Sequence, residues 1–387
     1  MTIIHIGPSK LPILFPLGGA TERRMRELAI RQAASGARVI VYSAEDRKAS
    51  HGLHGAEVRG IACRTHGLLR EFEFLLKSLR DAKDLRPDVI HFHTLAEGAA
   101  LAARFDCAKV LSYDFFEFRR GKLRPLYGRA LDQFTCLMPV SEYCLRESSA
   151  YWSLPADRLA VVYNGVSLQQ FRPDSAAGRA QRAKAGIAED DFAVLYVGRV
   201  CHQKGTDLLI EACAELRAEG RNIRPVVAGP IGQFGHQGSN DLTARLEQIG
   251  GVYLGAVDEA ALPAVYNLCD VFVMPTRIYE MFGMAAIEAQ ACGKPVVCSN
   301  QGGLPEVISS ESGLLFEPGS VAGLAANLRR LMDHRSLLHA LSKSAVRNAQ
   351  RFAWETIVDR LDSLYKNPRV DSLASGRRPL ATVTNNF

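Results

Sequence analysis

Two cations stand five residues apart in Gly198-Arg199-Val200-Cys201-His202-Gln203-Lys204-Gly205, just ahead of a helix predicted to begin near Thr206. A guanidinium grips two oxygens at once and an ammonium acts as a point charge, so the pair converges on one anion. The helix N-terminus adds free N–H groups and partial positive charge, which makes a diphosphate the natural guest. The spacing is not the Gly-x4-Gly-Lys-Ser/Thr of a P-loop, and a solvated strand-to-helix loop fits the same residues. A second group lies in Arg277-Ile278-Tyr279-Glu280-Met281-Phe282-Gly283-Met284-Ala285-Ala286-Ile287-Glu288-Ala289. Glu280 follows an apolar run, and Glu288 lies about two turns further on, inside an apolar helix. A carboxylate there needs a partner, which sugar or ribose hydroxyls would supply. A capping acid followed by a surface acid is the plainer alternative.

These groups have to be positioned by the elements around them. Short β-branched runs alternate with longer amphipathic stretches along the whole chain. Strands are predicted at 3–6, 38–42, 89–92, 109–113, 137–140 and 159–163, with helices at 22–34, 68–85 and 142–151. Residues 167–189 carry Pro173, Ser175, Gly178 and Gly186 among charges and read as a connection. A second set follows, with strands at 192–197, 225–228, 251–254, 271–274, 295–298 and 313–316, and helices starting near Thr206, Asp241, Glu259, Gly283 and Val321. The class is α/β: two doubly wound, Rossmann-like domains. Such sheets bind ligands beyond the carboxyl ends of their strands, so a site is expected in the cleft between the domains. Residues 335–366 are helical in pattern, and 367–387 read as a disordered tail.

Composition narrows the class further. Of 387 residues, 47% are hydrophobic and 23% charged, as in a globular protein of two ordinary domains. No apolar run is long enough to span a bilayer, and the start Thr2-Ile3-Ile4-His5-Ile6 reads as a strand rather than a leader. The nine cysteines are scattered without Cys-x-x-Cys spacing, which suits a reducing cytoplasm and neither zinc nor a disulfide framework. The net charge of +6 is uneven: residues 1–172 hold 25 basic and 18 acidic side chains, leaving the remainder near neutral. The basic stretch from Arg119 to Arg129 suits a solvated loop, or an anionic acceptor or lipid surface; no stacking platform accompanies it, so nucleic acid is not expected. Gly229, Gly232 and Gly235 lack Gly-x-Gly-x-x-Gly spacing and read as a cleft loop.

In chain order, Gly18-Gly19, Asn164-Gly165-Val166, Gly198-Arg199-x4-Lys204-Gly205, Glu280-x7-Glu288, Gly293-Lys294-Pro295-Val296-Val297, Gly302-Gly303-Leu304-Pro305-Glu306, Gly313-Leu314-Leu315-Phe316 and Trp354-Glu355 resemble the retaining GT-B glycosyltransferases of family 4. The resemblance covers roughly residues 1–365. It implies an acceptor-side domain over 1–170, a nucleotide-sugar donor domain over 171–352, and a helix over 353–366 that returns to the first domain. Arg199 and Lys204 would neutralise the donor diphosphate, Glu280 would touch the transferred sugar, and these three form the catalytic set. Glu288 would hold the ribose; Gly19, Gly198, Val257, Phe282, Gly283, Gly303 and Leu304 complete the donor site. His93, Tyr113, Asp114 and Arg119 would face the sugar or acceptor.

Two departures from the family pattern stand out. Tyr113 occupies the position of a usual His, and Met281 follows Glu280 where Gly or Pro is common. The implied reaction moves a hexose-type sugar from a UDP-sugar, or second a GDP-sugar, to an acceptor hydroxyl on a lipid-linked or polysaccharide intermediate or a secondary metabolite. No Asp-x-Asp stands in a metal-binding context, so no cofactor and no metal are expected. Partners are the nucleotide sugar, the acceptor and an anionic membrane at the cytoplasmic face. An epimerase or hydrolase on the same fold, or a non-catalytic nucleotide-sugar binder, are the alternatives.

Overall fold

The computed structural model describes residues 1–13, 19–45, 49–114, 124–152, 154–232 and 240–367. The first domain carries a seven-stranded sheet: β1 (Thr2–Ile6), β2 (Arg38–Glu45), β3 (Ala49–Leu53), β4 (Ala56–Ala62), β5 (Val89–His93), β6 (Ala108–Tyr113) and β7 (Cys136–Pro139). Their order is β3-β4-β2-β1-β5-β6-β7, parallel throughout except the antiparallel β3–β4 pair. The second domain carries β8 (Phe192–Val197), β9 (Ile223–Ala228), β10 (Val252–Tyr253), β11 (Val271–Met274), β12 (Val296–Ser299) and β13 (Gly313–Phe316), ordered β10-β9-β8-β11-β12-β13 and all parallel. Helices cover both faces, so central strands such as β5 and β12 are buried along their whole length. That burial is why they are mostly apolar, with His91 and His93 of β5 and Ser299 of β12 as the buried polar residues.

The strand orders say where ligands belong. In the first sheet β1 lies between β2 and β5; in the second β8 lies between β9 and β11. Chain direction across the sheet reverses at these points, and a crevice opens beyond the strand ends. The loops after β8 and β11 are the ones that carry Arg199, Lys204 and Glu280.

Several predicted elements differ from the observed ones. The hairpin of β3 and β4 was not expected, because β3 is an edge strand whose Ser50, His51 and Gly52 are exposed, leaving no apolar run. Residues 159–163 form no strand; Ala160 and Val162 donate to Leu137 and Pro139 and leave the segment as an extended edge beside β7. Within the predicted connection the chain forms the helix Ser175–Lys184, capped by the Asp174 carboxylate accepting from Ala177 N–H at 2.9 Å. The helical stretch at the end is two helices, Arg335–Ala349 and Trp354–Lys366, separated by a 3-10 turn. Trp354, Ile357, Val358, Leu361 and Tyr365 of the last helix pack with Ile3, Leu28, Val89 and Val110 of the first domain. The chain crosses between domains where Val166 and Ala353 bridge, and Gly165 leaves room for the Trp354 ring, which a Cβ would meet at 2.3 Å. The tail predicted as disordered lies outside the described residues from 368 onward.

Candidate functional site

The two chemistry-bearing loops of the second domain are stitched together. The loop after β8 runs through a 3-10 turn, His202–Lys204, and reaches the helix Thr206–Ala218 at Gly205. Gly205 has φ +73°, and a Cβ there would lie 1.8 Å from the Pro275 carbonyl oxygen. Only glycine lets the two loops approach this closely. Arg277 then locks them: its backbone N–H donates to Gln203 O at 3.0 Å, and its guanidinium meets both Asp207 oxygens at 2.6 Å. With the backbone held this way, Lys204 Nζ forms an ion pair with Glu280 Oε1. The turn at 302–303 clasps the same loop from below. Gly303 N–H donates to Glu280 O at 2.7 Å, and Gln301 Nε2 donates to Thr276 O at 2.6 Å.

Glu288 is 3% exposed on the helix Met284–Ala291. Its carboxylate accepts from Tyr266 Oη at 2.7 Å and pairs with Arg23, which projects from the first-domain helix Ala20–Ala34 across the cleft. Burial raises the Glu288 pKa, and the Arg23 charge opposes that rise. Arg26, one turn on, donates to both Glu259 oxygens at 2.7 and 2.6 Å. A third cross-domain contact is a cap: Glu306 accepts N–H groups of Glu142 and Tyr143 at 2.7 and 2.6 Å, at the start of the helix Glu142–Tyr151. Beside it Tyr143 and Tyr279 stack with ring centroids 5.6 Å apart.

The first-domain side is lined by buried histidines. His5, His91 and His93 project from β1 and β5 and lie within stacking distance, His91 and His93 being 4.1 Å apart at their centroids. His5 Nδ1 meets His93 Nε2 at 3.0 Å and His5 Nε2 meets Gln32 Oε1 at 2.8 Å. His91 bonds the Tyr365 hydroxyl at 2.6 Å and Ser112 Oγ at 2.7 Å. The three rings have the proximity that a metal ion requires. Five of their six nitrogens are already used within the network, so the cluster reads as a hydrogen-bonded plug. Burial lowers the His5 pKa to about 4 and holds those of His91 and His93 well below the ordinary histidine value, so all three are neutral at pH 7. Above them is a small cavity lined by Ala20, Thr21, Arg24, His93, Thr94, Ser112, Tyr113, Asp114, Val140 and Asn164.

The remaining sequence-named residues fall as follows. Gly19 is the N-cap of Ala20–Ala34, Gly198 follows β8, and Gly283 caps Met284–Ala291. Val257 is half-buried after β10. Phe282 and Leu304 were expected at the donor, yet both side chains are buried: Phe282 packs between Tyr163 and Phe352, and Leu304 is fully enclosed. Only their backbones remain available to a ligand. Tyr113 is buried, with its hydroxyl 3.1 Å from Ser148 Oγ. Gly18 and Arg119 lie outside the described residues. Sequence reasoning missed Arg23, Arg24 and Arg26, although cations in the first turns of a helix run against its dipole and mark an outside partner. It also missed the Arg277–Asp207 clamp, Tyr266 and Glu306.

Residues 178–348 match the family described as Glycosyl transferases group 1, and residues 18–170 match Glycosyltransferase Family 4. D-inositol 3-phosphate glycosyltransferase from Segniliparus rotundus is 34% identical over 220 residues, covering 56% of this chain and 48% of that protein. The chain spans about half the length of the curated relatives it matches. Sucrose-phosphate synthase from Thermosynechococcus elongatus has a similar structure, with TM-score 0.77 at 23% identity over 95% of this chain and 98% of that one. Anabaena HepE, solved in complex with UDP, gives TM-score 0.76 at 21% identity over 95% and 100%. At these identities the two structures establish the fold, which is GT-B.

Proposed function

The chain belongs to the family 4, group 1 glycosyl transferases, and on that premise we propose that it moves a hexose-type sugar from a nucleotide sugar to an acceptor hydroxyl. UDP is the favoured nucleotide and GDP the second; HepE, a fold relative, was solved with UDP. The observation that carries the reading is the meeting of the Arg199–Lys204 loop with the Glu280 loop beyond the ends of β8 and β11. In the donor complex, Lys204 and Arg199 face the diphosphate, and the helix from Thr206 adds its N-terminal dipole. As the bond to the anomeric carbon breaks, negative charge grows on the leaving phosphate, and these groups stabilise it without reorganising. Glu280, freed from Lys204, accepts hydroxyls of the sugar. Glu288 and Tyr266 form the ribose end.

The transfer is proposed to retain configuration, with the leaving phosphate taking the acceptor proton on the same face, and to run without a metal. The acceptor is a lipid-linked or polysaccharide intermediate or a secondary metabolite, in the cytoplasm and in peripheral contact with an anionic membrane. Among the described residues no helix is long and apolar enough to cross a membrane. A thermal-shift series with UDP-, GDP- and ADP-sugars tests the donor. A ligand at a hundredfold excess over Kd adds about 2.7 kcal/mol, so the UDP-sugar should raise Tm most. No rise with any nucleotide sugar would sink the reading. Rapid sugar release or epimerisation with donor alone would instead identify a hydrolase or epimerase.

A further inference from the structure

One helix start is shared between the two domains. The helix Glu142–Tyr151 of the first domain opens, like any helix, with N–H groups that its own turns leave unpaired. Ser141 Oγ accepts the Cys144 N–H at 2.9 Å, which is an ordinary local cap. The two N–H groups ahead of it belong to Glu142 and Tyr143, and Glu306 of the second domain takes both, one with each carboxylate oxygen. A carboxylate placed this way faces the positive end of the helix and makes two charge-assisted hydrogen bonds.

The turn that carries Glu306 also holds Glu280. Gly302 has φ +64°, and a Cβ there would run into the Glu280 carbonyl oxygen; a Cβ on Gly303 would run into that of Met281. Gly303 N–H donates to Glu280 O, and Glu306 N–H donates to Gly303 O at 3.1 Å, so the acid and the two glycines form one closed turn. On its other side Gly303 faces the first domain, where a Cβ would lie 3.3 Å from Ser141 Oγ. A second grip comes from Tyr279, which precedes Glu280 in the chain. Its ring lies over that of Tyr143 with an interplanar angle of 24°, and Tyr143 is one of the two residues whose N–H Glu306 accepts. The start of one first-domain helix is thus tied to the Glu280 loop twice, through a carboxylate and through a ring.

We propose that Glu306 is a positioning residue for transfer: its cap on the first-domain helix, together with the grip of its turn on the Glu280 backbone, makes the approach of the domains and the alignment of Glu280 one event. The role of Glu280 in transfer rests on the transferase reading; the coupling between the helix start and the Glu280 loop does not. When the domains part, the two N–H groups turn to water, Tyr279 loses Tyr143, and Glu280 is held from the second domain alone. A reacting group displaced by about 1 Å can cost about a hundredfold in rate, so a lost cap is felt at Glu280 without any contact between Glu306 and the sugar.

The test is a double-mutant cycle on the full chain, read beside amide hydrogen exchange. The rate is UDP release from UDP-glucose with water as the acceptor. Glu306→Ala should lower that rate tenfold or more while UDP affinity stays within about twofold, because Arg199 and Lys204 belong to the second domain. In the Glu280→Ala background the same change should cost less than threefold, since the residue through which Glu306 acts is gone. An equal cost in both backgrounds overturns the proposal. Exchange with UDP bound should quicken in Glu306→Ala at the Glu142 and Tyr143 amides and also across residues 279–283. Faster exchange confined to 142–143 overturns it too, because the cap would then be a local matter. Glu306→Gln keeps one acceptor oxygen and the length of the side chain, and should show both patterns on a smaller scale, so a folding defect in Glu306→Ala leaves the outcome decidable. If the wild type neither binds UDP nor releases it from UDP-glucose, the transferase reading fails, and the exchange pattern without UDP still judges the coupling.

Discussion

The two sides of the cleft treat their polar groups in opposite ways. In the second domain the charged side chains come already matched. Lys204 holds Glu280, Arg277 holds both oxygens of Asp207, and Tyr266 and Arg23 hold Glu288. In the first domain, Arg24, His93 and Asn164 line one cavity with buried atoms that have no hydrogen-bond partner, and the Asp114 carboxylate in the same wall is the largest influence opposing the burial of Arg24. A site whose side chains can substitute for parts of the ligand closes on itself until the ligand displaces them. A guanidinium buried without hydrogen bonds leans instead on a carboxylate in the same wall to keep its charge. Removing a donor-side residue should therefore free its partner, whereas removing Arg24 should leave the Asp114 carboxylate without its counter-charge.

The largest expected effect tests the matched side. Glu280→Ala should lower kcat by about 10²–10³, the range for losing a group that acts in the transition state. UDP affinity should hold or tighten, because Lys204 is released toward the diphosphate. Arg199→Ala and Lys204→Ala should weaken UDP by roughly tenfold or more as well as slow transfer. Steady-state rates with UDP titrations separate these patterns. Near-wild-type turnover in Glu280→Ala would remove the carboxylate from the reaction and dissolve the donor half of the contrast.

Acid stability comes next in size, and among the described residues its buried-histidine part belongs to the first domain. His202, His334 and His339 of the second domain are exposed, whereas His5, His91 and His93 are buried and neutral. The folded pKa of His5 is about 4 against the ordinary histidine value of 6.5, so the unfolded chain binds the extra proton between them. Its contribution is complete above 6.5 and declines as pH falls through that window, by up to about 1.4 kcal/mol per pH unit. Urea midpoints at pH 7.5 and 5 should fall, and should fall less in His5→Gln. An equal drop in both proteins would mean that acid attacks elsewhere.

Much of the donor side was legible because its residues sit at strand ends in a repeating β-α pattern. Arg199, Lys204, Glu280 and Glu288 could each be tied to a predicted strand or helix, and the switch point of the second sheet then brought together the two loops that carry the first three. The contacts between elements were not legible. Glu288 demanded a partner, but nothing local said that Arg23, far away in the chain, would provide it. Phe282 and Leu304 lie in the right loops with side chains turned inward, because a motif marks a backbone position and says little about direction. The β3–β4 hairpin was lost for want of an apolar run. The helix at Ser175 had a local signal, Asp174 as its N-cap, and the density of Gly, Pro and charge around it masked the pattern.

The smallest expected effect concerns Arg23, the residue through which the two sides touch. Its guanidinium pairs with Glu288, and its Nε lies 3.5 Å from Glu259. Burial already pushes the Glu288 pKa up, with Arg23 as the first opposing influence and the Tyr266 hydrogen bond as the next. Arg23→Met removes that opposition, so the pKa rises further and the carboxylate protonates at a higher pH. If the ribose hydroxyls bind the ionised form, UDP affinity in the variant should decline between pH 8 and pH 6 more than in the wild type, by roughly three- to tenfold. The ratio of variant to wild-type Kd at each pH cancels the titration of the diphosphate itself. A ratio that grows as pH falls makes Arg23 the group that keeps the ribose carboxylate charged, a first-domain residue serving the donor. A flat ratio would confine Arg23 to holding the domains together, and the division between matched and unmatched halves would then follow the domain boundary.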